Sequence, residues 1–184
     1  MGLRGRSIFG DTGQVFFVTT STVHHHRVFG LSREYYNILA DSLTFVLNEH
    51  KAKLFGYVFM PSHVHLIVAM PEGESISDLM RDFKKYTSTK VRQQLEKEER
   101  RSALKSLRVN AQGKKNQIFK LWMDRFDDLV IDQGNTLSVM LEYIHNNPVK
   151  AGLVEEAEEW EFSSARNYLL GGHRIDVATD WKME

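Results

Sequence analysis

Two short apolar runs, KLFGYVFM (residues 53–60) and HVHLIVAM (63–70), stand end to end with only Pro61-Ser62 between them. Both are rich in β-branched and aromatic residues, and a Pro-Ser break between such runs signals a tight turn. The pair therefore reads as an antiparallel hairpin, which any fold of this chain has to accommodate. Its second strand carries two histidines, His63 and His65, either side of Val64. Side chains two apart on a strand point to the same face, so both imidazoles project together.

The rest of the chain supplies partners for the hairpin. QVFFVTTST (14–22) reads as another strand. From Ser32, a plausible N-cap, to about Glu49, the residues Tyr35, Ile38, Leu39, Leu43, Val46 and Leu47 recur at helical spacing. A long charged helix is expected over 75–107, with Ile76, Leu79, Met80, Phe83, Tyr86 and Val91 as its apolar stripe. The stripe thins beyond Leu95, and RVNAQGKKNQ (108–117) reads as a basic loop. QIFKLW (117–122) predicts a further strand, with DDLVI (127–131) extending it or forming a separate element. Leu137, Met140, Leu141 and Ile144 predict a helix over 135–147, capped by Asn135 or Thr136 and ended by Pro148. The order β-α-β-β-α-β-α suggests an α+β fold: a ferredoxin-like antiparallel sheet with helices packed on one face. No repeat or linker divides the chain, so residues 1–184 read as one domain. It has a basic helix and loop at about 75–120 and an acidic C-terminal extension.

With 42% apolar and 11% aromatic residues the chain can bury a core, which argues against disorder. The absence of cysteine excludes disulfides and thiolate sites, so any metal must be held by His, carboxylate or amide ligands. MGLRGRSIFGDTG has no long apolar run, and the expectation is a cytoplasmic protein with no membrane span. The 24 basic and 24 acidic residues cancel overall but not locally. Residues 81–125 hold 14 Lys/Arg against 5 Asp/Glu, and residues 126–184 hold 4 against 12. The basic block suits a phosphate backbone, with a solvated, salt-bridged helix as the alternative. The acidic block, including GLVEEAEEWE (152–161), suits either an electrostatic lid or solubility.

Two imidazoles need at least one more protein ligand to hold a divalent ion. A helix carrying Tyr143 and Asn147 at i, i+4 presents both on one side. If it packs on the face bearing His63 and His65, the Asn147 amide oxygen completes three ligands and Tyr143 stands one turn away. A tyrosine hydroxyl beside a metal-held phosphate can attack phosphorus and form a covalent ester. Each residue also has a plainer reading: a packed histidine pair, a core tyrosine, an asparagine at a helix end. The triplet His24–His26 cannot direct three side chains at one ion and reads as a loop feature. Glu142 points away from Tyr143 on a helix and reads as a surface carboxylate.

MPSHVHLIV (60–68), followed by EYIHNNPVKAGLV (142–154), resembles the single-tyrosine HUH transposases, in which HUH stands for His, a hydrophobic residue, His. The nearest branch is that of the REP-associated tyrosine transposase-like proteins. GYVFMP (56–61), DLMRDFKKYTS (78–88), the Leu121-Trp122 pair and WEFSSARNY (160–168) extend the resemblance over nearly the whole chain. It implies a ferredoxin-like nuclease that nicks single-stranded DNA near small hairpins. His63, His65 and Asn147 would then hold Mg²⁺ or Mn²⁺, and Tyr143 would form a 5′-phosphotyrosine link, freeing a 3′-OH. Asn147 stands where insertion-sequence relatives usually have glutamine, and Ser62 where an asparagine is common. Candidate phosphate contacts are Arg81, Lys84, Lys85, Lys114, Lys115 and Lys120. Trp122 and Arg125 are candidates to stack on or clamp an unpaired base, with a core position as the alternative for Trp122. The expected partner is single-stranded DNA with hairpins, bound by a monomer or homodimer in which Tyr143 serves its own histidines or a partner's. Rival readings are a module that binds DNA or RNA hairpins without cutting, and metal-dependent hydrolysis with no covalent step.

Overall fold

Alternating burial along QVFFVTTS makes Gln14–Ser21 a strand (β1) with one side chain in two turned to each sheet face. Helix α1, Arg33–Glu49, returns the chain to the hairpin of β2, Lys53–Phe59, and β3, His63–Met70. Helix α2 spans Ile76–Lys97, α3 Arg101–Val109, β4 Asp127–Ile131 and α4 Gly134–His145. Two short helices follow, α5 at Asn147–Lys150 and α6 at Ala165–Leu169. The structure, a computed structural model, describes residues 13–111, 118–132, 134–172 and 174–179. Lys114 and Lys115 lie outside them, as does the side chain of Asn135.

The sheet order is β2-β3-β1-β4, antiparallel throughout, the arrangement expected of a ferredoxin-like chain. On one face Phe16, Val18, Leu66 and Val68 bury against Leu39 and Leu43 of α1 and Leu79 and Phe83 of α2. These are the helices expected on one face. The other face is covered too: Val15, Ile67, Ala69 and Ile131 pack with Leu137, Leu141 and Ile144 of α4. Gly56 explains how closely α4 seats. A Cβ there would stand 2.7 Å from Leu141 and 2.8 Å from Ile144, closer than side chains pack. The edge of β2 is closed by the C-terminal segment, where Phe59 N donates to Phe162 O (2.9 Å) and Trp160 Nε1 to Phe59 O (3.0 Å). Part of the acidic extension thus seals a sheet edge.

Three elements depart from the sequence expectation. Residues 118–122 form no strand beyond an isolated bridge between Thr22 and Trp122. Their alternating apolar side chains cover α2 instead, Trp122 donates its indole N–H to Thr87 Oγ1 (2.8 Å), and DDLVI becomes β4. The expected helix over 75–107 breaks after Lys97 and resumes at Arg101. Glu99 takes a positive φ of 53°, and the turn lets Leu95, Leu104 and Leu107 all reach the core. Pro148 does not end the helical path. It lies in the first turn of α5, where a missing N–H costs nothing.

His50 at the end of α1 bridges Glu74 and Asp82, with 3.1 Å from each ring nitrogen to its carboxylate. Burial opposes the imidazolium charge, but the two carboxylates outweigh it and raise the pKa above the usual 6.5. The charged bridge therefore stabilises fully below about pH 6.5 and fades as pH rises through the raised value. Melting temperatures of the wild type and His50→Gln between pH 5.5 and 8.5 should differ most at the acidic end and converge at the alkaline end. A gap independent of pH would contradict this role.

Candidate active site

The hairpin turn at Pro61-Ser62 starts β3 at His63, and alternation sends His63 and His65 to the face that also bears Ile67, Ala69 and α4. Their rings lie 4.9 Å apart, centroid to centroid, at 79°. The β1–β3 register sets Thr19 opposite His65 and Ser21 opposite His63. Thr19 Oγ1 hydrogen-bonds His65 Nδ1 at 2.8 Å, and Ser62 Oγ stands 3.4 Å from His63 Nδ1. With both Nδ1 atoms facing hydroxyls, the Nε2 atoms are the ones left to act as donors.

His65 is only 4% exposed; burial first, and the neighbouring His63 second, lower its pKa to about 3. The His63 pKa is also lowered, by burial and then by His25. Both rings are thus neutral near pH 7, the form in which imidazole donates to a metal.

Tyr143 comes from α4. Its neighbours Leu141 and Ile144 are buried on the sheet, which leaves position 143 at the rim, 42% exposed. Its ring meets the edge of His65 at 5.5 Å (75°) and Phe17 at 5.9 Å (75°). Phe17 in turn stacks on His65 at 5.6 Å and 16°. The Lys150 ammonium lies 5.6 Å over the Tyr143 ring. Asn147 is one turn away, its Nδ2 donating to Tyr143 O at 2.8 Å, which leaves Oδ1 as the open acceptor. Among the described residues, no hydrogen bond joins Asn147 to His63 or His65. Hence the structure brings His63, His65 and Tyr143 together, with Asn147 beside Tyr143 on the same stretch of chain.

Just past β1 the chain turns over His24 and His25, whose φ values are 53° and 52°. Successive left-handed residues form the kind of turn that Asn-Gly usually fills. For a residue with a Cβ each such conformation costs about 1–2 kcal/mol. His26 is tied to Ser106 Oγ (3.2 Å), whereas His24 and His25 are exposed.

The family described as "Transposase IS200 like" matches residues 18–147, a span running from the strand that carries Thr19 to Asn147 itself. The chain belongs to that family. The chain is 27% identical over 147 residues to the REP-associated tyrosine transposase of Escherichia coli, covering 79% of this chain and 74% of that one. A provisionally named REP-associated tyrosine transposase of Haemophilus influenzae is 27% identical over 152 residues, 83% of this chain and 80% of the other. Among solved structures, a REP-associated tyrosine transposase bound to a REP hairpin superposes with a TM-score of 0.63 at 25% identity, covering 99% of this chain and 93% of that chain. The sequence resemblance to this branch is borne out.

The basic candidates fare unevenly. Helix α2 packs on the opposite face of the sheet from the histidines, so Arg81, Lys84 and Lys85 do not adjoin them. Arg81 is exposed and paired with Asp78 and Asp82, and Lys85 is exposed. Lys84 is no free phosphate contact: its ammonium donates to Met123 O (3.0 Å) and Arg125 O (2.9 Å), and burial lowers its pKa to about 8. Lys120 is largely covered and pairs with Asp124 at 3.0 Å. Trp122, 4% exposed with its N–H bound to Thr87, offers no face to a base. Arg125 is exposed and, with Thr19, Ser21, His24 and Phe126, lines a cavity of about 550 Å³ that begins beside the histidine pair.

Sequence reasoning missed Thr19, Phe17 and Lys150. The i, i+2 spacing of Phe17 and Thr19 places them on one face of β1, but only the β1–β3 pairing shows that this face is the histidines' own. Thr19→Val keeps shape and removes the acceptor for His65 Nδ1. If the histidine pair holds a divalent ion, the change should weaken its binding by about 10–100-fold, measured by titration, and the melting temperature should fall as well, because the buried His65 Nδ1–H loses its partner. Unaltered metal binding would show that Thr19 does not orient His65.

Proposed function

We propose that this member of the IS200-like transposase family is a metal-dependent single-strand DNA endonuclease and strand-transferase, acting at hairpin-containing repeats through a 5′-phosphotyrosine intermediate. The observation that carries the reading is Tyr143 lying against His65 of the same chain, 5.5 Å between ring centroids, in a residue that remains exposed. The donor set fits a divalent ion: two neutral imidazoles with their Nε2 atoms open, and Asn147 Oδ1 as a third, oxygen ligand. Such a mixed nitrogen and oxygen set suits Mn²⁺ at least as well as Mg²⁺. When bound, the ion would polarise the scissile phosphate and offset the charge that develops on it.

The chain's own residues do the rest. Phe17 and His65 hold the Tyr143 ring beside the histidine pair, and a strand lying over the histidines would meet its hydroxyl. The phenolic oxygen attacks phosphorus, the new O–P bond forms as the P–O3′ bond breaks, the phenol gives up its proton, and the departing 3′-oxygen takes one to become a 3′-OH. A 3′-OH attacking the phosphotyrosine reverses the sequence and completes transfer. Lys150, over the ring, is placed to meet a phosphate oxygen. Because Tyr143 adjoins its own chain's histidines, the reading is of catalysis within one subunit, in a monomer or a homodimer. The structural relative bound to a REP hairpin supports hairpin DNA as the partner.

Covalent trapping tests the proposal. Labelled single-stranded hairpins mixed with the full chain and Mn²⁺ should give a shifted band on a denaturing gel. The band should vanish with chelator and in Tyr143→Phe, whose melting temperature stays that of the wild type. Cleavage surviving in Tyr143→Phe would favour hydrolysis without a covalent step. Hairpin binding with no cleavage under any condition would leave a binding module.

A further inference from the structure

We propose that His145 and Ser164 are the positioning pair of this site: the hydrogen bond between them ties the end of the tyrosine helix to β2 and sets where Tyr143 stands against His65. The inference rests on the proposed reading of Tyr143 as the nucleophile. It gives a role to two residues that supply neither ligand nor nucleophile.

Tyr143 has little of its own to hold it. Its ring meets His65 and Phe17 edge-on, the residue remains exposed, and among the described residues no hydrogen bond reaches its hydroxyl. Its place is therefore the place of α4. Leu137, Leu141 and Ile144 bury along one side of that helix, but apolar burial is non-directional and leaves a helix free to slide or turn slightly on the sheet. A misplacement of about 1 Å at a reacting group costs on the order of 100-fold in rate. The nucleophile needs a directional contact close by.

His145, the last residue of α4, supplies it. Its Nε2 lies 2.8 Å from Oγ of the fully buried Ser164. Ser164 is itself clamped onto β2: Tyr57 N donates to Ser164 Oγ (3.0 Å), and Ser164 N donates to Tyr57 O (2.9 Å). The hydroxyl has one proton to give. Either it goes to His145 Nε2, or it goes to Tyr57 O at 3.2 Å while Nε2–H donates to Oγ; the bridge from α4 to β2 is closed in both cases. The backbone around Ser164 is seated along the same edge, since Phe59 N donates to Phe162 O and Val58 bridges Ser163. Across β2, Tyr57 pairs with Leu66 and Val58 with His65, so the bridge ends on the strand residues beside the second histidine. His145 is two residues from Tyr143, about 200° around the helix. A bond on one side of this last turn therefore fixes the side chain on the other. The turn also leads into Asn147, whose Nδ2 donates to Tyr143 O, so nucleophile and candidate third ligand are held together. Packing alone asks for no imidazole here: the Tyr168 ring, 5.5 Å away, would rest on an apolar side chain as well.

The test compares wild type, His145→Leu, His145→Gln, Ser164→Ala and Tyr168→Phe, each well below its own melting temperature. Tyr168→Phe removes the hydroxyl that donates to Phe55 O (2.7 Å), another tie between the same segment and β2, and leaves the His145–Ser164 bond intact. Trapping with Mn²⁺ at saturating labelled hairpin gives the rate of adduct formation, and anisotropy gives the affinity for that hairpin. His145→Leu and Ser164→Ala should each lose about 10- to 100-fold in rate with affinity unchanged. His145→Gln, whose amide reaches the Nε2 position, should recover most of that loss. Tyr168→Phe should lower the melting temperature and keep the wild-type rate, which separates positioning from stability. Fluorine NMR of the metal-free chain labelled with 3-fluorotyrosine reads the ring's surroundings directly, the Tyr143 resonance being the one absent from Tyr143→Phe. That resonance should move in His145→Leu and Ser164→Ala and stay in Tyr168→Phe. A wild-type rate in His145→Leu, an equal loss in Tyr168→Phe, or a loss confined to affinity overturns the assignment. If no hairpin gives an adduct even with wild type, the nuclease reading fails by itself. The fluorine resonance still decides the pair, and a resonance unmoved in both variants overturns it.

Discussion

The antiparallel pairing of β1 with β3 is the interaction on which the rest of the site depends. Its register sets Thr19 beside His65 and Ser21 beside His63, and the Thr22–Ser62 hydrogen bond pins the end of the pairing. Because side chains alternate, a slip of one residue would turn His63 and His65 under α1 and α2 and carry Val64 and Leu66 to the face beneath α4. The fully buried Val64, Leu66 and Val68 under α1 and α2 therefore fix the histidines' orientation as firmly as any contact at the site. Core and chemistry are two faces of one strand.

The other half of the site depends on how α4 lies on the sheet. Only a glycine at position 56 lets Leu141 and Ile144 come down onto β2, and their burial brings Tyr143 against Phe17 and His65. Burial also does electrostatic work: it keeps the imidazoles neutral and so ready to donate. The basic helix α2, by contrast, spends its chemistry on structure. Lys84 holds the 123–125 segment by two carbonyls, and Trp122 is anchored to Thr87.

Much of this was legible in the sequence where local pattern and tertiary demand agree. The hairpin around Pro61-Ser62, the first helix from Ser32 and the antiparallel order all follow from short-range spacing, and the two motifs locate His63, His65 and Tyr143. What was not legible depends on long-range contacts. QIFKLW has the composition of a strand, but the vacant edge of β1 went to DDLVI, because residues 118–122 were needed to cover α2. Lys84 reads as a DNA contact because the sequence does not show what lies above it, whereas the core reading of Trp122, set beside a stacking role, is the one its burial bears out. Thr19 and Phe17 escaped notice because their role exists only once β1 and β3 are paired. The His24–His26 run reads as a loop feature and lies in and just after a short 3₁₀ turn, Val23–His25, whose left-handed backbone and anchoring to Ser62 are visible only in three dimensions.

Mixing two inactive chains tests the central claim, that one chain's sheet and one chain's α4 assemble the whole site. Tyr143→Phe supplies intact histidines, and a His63→Ala/His65→Ala double variant supplies an intact tyrosine. With hairpin DNA on which the wild type forms its covalent adduct, the mixture should remain inactive at every ratio and after prolonged co-incubation. Recovery of the adduct would mean that Tyr143 of one chain serves the histidines of another, and would contradict the arrangement described.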